Sequence, residues 1–209
     1  MLKNNTKMND KVTLDDVRKY MSRDFFLSHV SIGLQKESDQ YFVKRFYKEF
    51  PGLEAYLYLK EKTEDGRTIS AFFDSWSFYR AGIDEEEAWK CAEQNVQKDT
   101  VVDDLGHVVS QYFGEDVPED EDFKLYVVTN SSCNRGASGV LDMELLRTFA
   151  RGHHCKKIMV IPSSIHEMLL LPHAERFDED FISEVIKKVN AESVEPKEQL
   201  GDRPYILKF

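Results

Sequence analysis

Residues 156–172 read KKIMVIPSSIHEMLLLP, and the placement of this stretch decides the fold. Two continuously apolar runs, Ile158 to Ile161 and Met168 to Leu171, are separated by only six residues. Apolar runs without polar alternation mark strands covered on both faces. A parallel return between neighbouring strands needs a crossover of about a dozen residues or more, so strands this close in sequence must run antiparallel. The stretch therefore argues against a doubly wound parallel sheet. It predicts an α+β protein, with a mixed, mainly antiparallel sheet and helices packed on it.

Working outward, Asp142 to Arg151 predicts a helix presenting Leu145, Leu146, Phe149 and Ala150, and Leu125 to Thr129 a buried strand. On the other side Phe177, Phe181, Ile182, Val185, Ile186 and Val189 recur at helical spacing behind Asp178 and Glu179, acidic residues suited to a helix start. The C-terminal half thus reads strand, helix, strand, strand, helix. Ahead of it, Gly114 to Asp122 is acidic and contains Pro118, which suits a boundary. Further upstream, Ala55 to Lys62 and Thr68 to Tyr79 flank Asp65-Gly66, the signature of a β-hairpin turn. Ile83 to Gln97 opens with Asp84 and three glutamates and reads as an amphipathic helix, with a second helix expected over 99–113. The aromatic-rich span from Val30 to Phe50 fits helical spacing and is expected to be helical. Thr13 should cap a helix carrying Leu14, Val17, Met21 and Phe25. The expected organisation is a polar tail (1–12), an N-terminal α/β subdomain (13–113), an acidic linker (114–122) and a C-terminal α+β subdomain (123–209).

The chain has 209 residues, 41% hydrophobic and 32% charged, with a net charge of -10 and a mean hydropathy of -0.51. This is a globular composition. The acidic balance and the lack of a clustered basic face argue against nucleic acid as a partner. No apolar run approaches the roughly 18 residues of a membrane span, and MLKNNTKMNDK has no apolar stretch behind its charges, so neither membrane insertion nor export is expected. Three cysteines, Cys91, Cys133 and Cys155, form no disulfide framework on this reading and fit a reducing cytoplasm.

The most pointed chemical cluster is Ser163, Ser164, His166 and Glu167. A hydroxyl, an imidazole and a carboxylate are the parts of a nucleophilic site, provided the base reaches the hydroxyl and the acid orients the base. No G-x-S-x-G elbow surrounds either serine. The competing reading is a tight turn whose hydroxyls satisfy local backbone groups, with His166 at the rim of the sheet. An H-E-x-x-H zinc motif begins at His166 but fails at Leu170. His153, His154 and Cys155 are contiguous soft ligands that could join Cys133 or Cys91 around a metal, although no C-x-x-C pair is present. Glu115 to Asp122 lacks the glycine of a calcium loop, and Gly136-Ala-Ser-Gly139 lacks the lysine of a phosphate loop. No cofactor is implied. The aromatics Phe72, Phe73, Trp76, Phe78 and Tyr79 pack inside the fold or offer a patch to a partner protein or a second copy.

Tyr126-Val-Val-Thr-Asn130, the helix at Asp142 to Arg151, and above all Val160 to Pro172 resemble domain-of-unknown-function family 5688. The resemblance is clearest over residues 123–209, including Val189-Asn190-Ala191, and looser before Gly114. It implies a bacterial cytoplasmic protein and supplies no activity to carry over. It makes Ser163, Ser164, His166 and Glu167 the residues to test first. The functional expectation is a binding or protein-interaction module of unknown ligand, without catalysis. The alternatives are a hydrolase built on those four residues, and a metal-binding protein built on His153, His154 and Cys155.

Overall fold

A computed structural model describes residues 22–40, 43–62, 68–72, 78, 82–114 and 123–209. The Asp65-Gly66 turn and the acidic stretch from Glu115 to Asp122 lie outside these residues, as do Phe73, Trp76 and Tyr79 and the expected helix from Thr13 up to Met21; its last apolar residue, Phe25, falls instead in a helix that begins at Arg23 behind the extended cap residue Ser22. The fold is α+β with two antiparallel sheets, as the hairpin argument requires.

In the first sheet the central strand β3 (Leu53–Lys62) is flanked on one side by β1 (Val30–Lys36) and on the other by β2 (Lys44–Arg45) and β4 (Thr68–Phe72), which pair with different lengths of it. Registered pairs share a face. Val30, Ile32 and Leu34 lie opposite Leu59, Leu57 and Ala55 and enter the core. Ser31, Gly33 and Gln35 lie opposite Tyr58, Tyr56 and Glu54 on the other face. Helix α1 (Arg23–His29) precedes β1, and helix α2 (Glu85–Asp99), capped by Asp84, buries Ala88, Trp89 and Ala92 against the sheet. The Asn95 amide of α2 donates to the carbonyls of Leu27 and Val30, locking the two helices at the junction where β1 starts.

Two expectations are corrected here. The described part of residues 30–50, 30–40 and 43–50, forms strands β1 and β2 and a turn, not a helix: Val30, Ile32 and Leu34 alternate with Ser31, Gly33 and Gln35, and this period of two wins over the helical spacing of the later aromatics. Residues 99–113 split into β5 (Thr100–Asp104) and α3 (Leu105–Phe113). The β-branched Thr100-Val-Val pairs with a neighbouring strand, and the Asp104 carboxylate accepts the His107 N–H to cap the helix that follows.

The second sheet runs β5, β6 (Tyr126–Asn130), β8 (Glu167–Pro172), β7 (Lys157–Ser164), β9 (Tyr205–Lys208). The hairpin of β7 and β8 is as expected, whereas β9 is an addition that its short sequence does not announce. Both faces of this sheet are covered, which accounts for the continuous apolar runs. Ile158, Val160, Met168 and Leu170 join the main core, and Met159, Ile161 and Leu171 meet Ile182 and Ile186 of helix α5 (Glu179–Ser193). The main core also takes in Leu146 of α4 (Met143–Gly152) and residues of the first sheet. Among the described residues no helix is long and apolar enough to cross a membrane.

Candidate functional site

The turn between β7 and β8 is two residues long, Ile165 and His166, closed by the pair Ser164 and Glu167. A β-bulge falls between Pro162 and Ser164. In a regular strand Ser163 and Ser164 would point to opposite faces, but with the ladder slipped by the bulge both hydroxyls donate to the same oxygen, Oε1 of Glu167, at 2.8 Å. The Ser164 hydroxyl also accepts the His166 backbone N–H at 3.0 Å. The structure thus brings Ser163, Ser164 and Glu167 together as a bonded set, while the His166 ring engages other partners. Pro162 lies beyond the last residue that β9 pairs, so its missing N–H forfeits no bond on that side.

The His166 ring is held by the loop that follows β6. Three successive amides of that loop reach the turn. Arg135 N–H donates to His166 Nδ1 at 3.2 Å, Gly136 N–H to the His166 carbonyl at 3.0 Å, and Ala137 N–H to the Ile165 carbonyl at 3.3 Å. The Thr129 hydroxyl adds a second bond to the His166 carbonyl. Asn130 organises the loop, its side-chain oxygen accepting from the amides of Ser132 and Asn134 and its amide donating to the Asn134 carbonyl. Gly136 admits no side chain, because a Cβ there would lie 2.5 Å from the Asn130 nitrogen. An amide can only donate, so Nδ1 is an acceptor and the neutral ring carries its proton on Nε2. Nε2 lies 3.8 Å from Glu198 Oε2, longer than a hydrogen bond. Glu198 is placed by its own backbone carbonyl, which accepts the Ile165 N–H at 2.9 Å.

Arg135 has a left-handed backbone, φ 54°, and its side chain spans the two sheets. Nη1 donates to the Tyr56 hydroxyl at 2.5 Å, and the guanidinium lies 5.2 Å from the Phe72 ring centre and 5.9 Å from that of Tyr58. Tyr56, Tyr58 and Phe72 contact one another as a platform on the outer face of the first sheet. Burial pushes the Tyr56 hydroxyl up despite the neighbouring guanidinium, and pushes Tyr58 up to about 12, so both phenols are neutral at ordinary pH. Beside them the Glu54 carboxylate is buried against Lys44 at 2.9 Å, Gln35 at 2.6 Å and Ser38 at 2.7 Å. Next to these groups is a cleft of about 500 Å³ lined by Gln35, Gln40, Tyr56, Phe72, Arg135 and His166, together with Ile165, Lys197 and Glu198. Tyr56, Arg135 and Glu198 carry no motif in the sequence. What makes Arg135 a site residue is a partner 79 positions away, and the only local hint is that it sits among turn formers ahead of Gly136.

The metal candidates are dispersed. His153 packs at a tilt against both Phe149 and Tyr126, with ring centres at 4.4 and 4.6 Å. Burial, with the nearby charges of His173, Lys124 and His154, holds its ring below the usual histidine range. His154 occupies a left-handed turn position, and Cys155 is buried in the core. Among the described residues no three His, Cys, Asp or Glu side chains gather where they could hold a metal ion. Cys91, Cys133 and Cys155 are all free thiols.

The model of a family of unknown function (DUF5688) matches residues 4–208, nearly the whole chain. The chain belongs to that family. No curated protein and no solved structure matches it.

Proposed function

We propose that this protein is a binding module, without covalent catalysis, whose ligand enters the cleft between the sheets at Arg135. The observation that carries the reading is the state of that guanidinium. It is fixed by Tyr56 and seated on aromatic rings, yet among the described residues only one of its five N–H donors is spent. A positioned donor group beside an exposed aromatic edge, in a cleft of small-molecule size, is the usual make-up of a ligand site. The free thiols fit a cytoplasmic setting.

The hydrolase alternative has less support. Ser163 and Ser164 give their hydroxyl protons to Glu167 rather than to His166, and the His166 lone pair that would act as base is engaged at Nδ1 by the Arg135 amide. A ligand screen by saturation-transfer NMR, run on wild type and on Arg135→Met with the fold checked by circular dichroism, tests the reading. Compounds that bind wild type should lose contact with Arg135→Met and keep it with Ser163→Ala. Ester hydrolysis abolished by Ser163→Ala or His166→Ala would establish the hydrolase instead.

A further inference from the structure

We infer that the cleft takes a small organic carboxylate, its anionic group on Arg135 and its apolar part against Phe72. The inference rests on the reading of this cleft as a binding site and names what binds there. The hydrogen-bonding inventory is lopsided. Arg135 offers four N–H groups beyond the one given to Tyr56, and the His166 ring, with Nδ1 committed, can only offer the proton on Nε2. Lys197 lines the same space and is donor only. Gln35 and Gln40, whose amides both donate and accept, also line it, and Glu198 only accepts, so it is the donors of Arg135, Lys197 and His166 that call for an acceptor.

Charge sets how strong an acceptor. Among the ionised lining groups Arg135 and Lys197 are cationic and Glu198 anionic, and Lys197 is already paired with Glu195 at 2.8 Å. The chain as a whole carries -10. One negative charge can be matched here, whereas a multiply charged phosphate group would meet Glu198 and an unfavourable overall field. A planar guanidinium fork also fits the two oxygens of a carboxylate better than a point charge would. The rest of the ligand has an apolar place to go: Phe72, 45% exposed, lines the cleft. The guanidinium sits over the Phe72 ring, so a carboxylate in its plane brings the attached carbon skeleton alongside that ring.

Glu198 gives the inference its sharpest test, because it is the one lining group that should oppose such a ligand. Phenylacetate, its neutral analogue phenylacetamide and inorganic phosphate are titrated into nitrogen-15-labelled protein, following the amides of 135–137 and 165–166. Phenylacetate should shift these amides and bind at least about tenfold tighter than the amide, the range of a charge-assisted hydrogen bond. Arg135→Met should weaken phenylacetate by a similar factor, and Glu198→Gln should tighten it. Equal binding of phenylacetamide, stronger binding of phosphate, or phenylacetate binding that Glu198→Gln leaves unchanged or weakens would overturn the carboxylate assignment while leaving the cleft a binding site. Shifts confined to other amides, or none from any probe, would overturn both.

Discussion

Gly33 faces Tyr56 across the ladder of β1 and β3, and a Cβ on it would lie 2.4 Å from Cζ of that ring. Tyr56 is 1% exposed, so its ring has little room to swing aside. Gly33→Ala should therefore cost about 1–3 kcal/mol, the range of an overpacked site, and draw the hydroxyl away from Arg135. Urea unfolding measures the loss, and an unchanged midpoint would show that the ring yields freely. The same residue scale explains what the sequence conceals about the site. Ser163, Ser164, His166 and Glu167 stand out in the chain and do occupy one turn, but the bulge that turns both serines toward Glu167 is a property of the ladder, not of composition. His166 is tied instead to a loop 31 positions away, and Arg135 to a tyrosine 79 positions away. No local pattern encodes such pairings.

Elements were legible where one period dominates. β7 and β8 announced themselves by apolar runs too close for a crossover, and α2, α4 and α5 by spacing and acidic first turns backed by the capping carboxylates of Asp84, Asp142 and Asp178. Strands β1, β5 and β9 were not, because seven, five and four residues give few repeats for a period to show in. Helix α5 shows the reverse difficulty. Its apolar stripe is wider than the face it buries: Ile182 and Ile186 are 4% exposed, while Phe181 and Val185 are 66% and 43% exposed. Ile182→Ala and Ile186→Ala should each cost about 2–4 kcal/mol through lost burial and a cavity. Phe181→Ala and Val185→Ala should stay within about 0.5 kcal/mol. Thermal or urea unfolding of the four variants checks this, and equal losses on both sides would show that a further surface covers the outward residues in solution.

At the scale of the whole molecule the two sheets share one buried cluster, from Val30 and Leu57 in the first to Val160 and Leu170 in the second. The cleft lies where the Tyr56 face of the first sheet meets the β7–β8 turn and the segments that carry Arg135 and Glu198. Composition revealed an acidic globular chain but not this meeting, since it depends on which face of β3 is turned away from the main core. That face also holds Glu54, enclosed by Lys44, Gln35 and Ser38. Burial alone would raise its carboxyl above the ordinary 4.5, but the bonds from Gln35, Lys44 and Ser38 outweigh burial and leave it lowered. The consequence is a proton linkage. The unfolded chain binds a proton at Glu54 at a pH where the folded chain does not, so this group's contribution to stability is complete well above 4.5, fades as pH falls through that value, and is gone below the folded carboxyl's own lower one. Wild type should lose more stability between pH 7 and pH 3 than Glu54→Gln, as read from urea unfolding at both. Equal losses would mean that Glu54 takes up no proton on unfolding, whereas the expected difference makes acid a reagent that opens the molecule from beside its cleft.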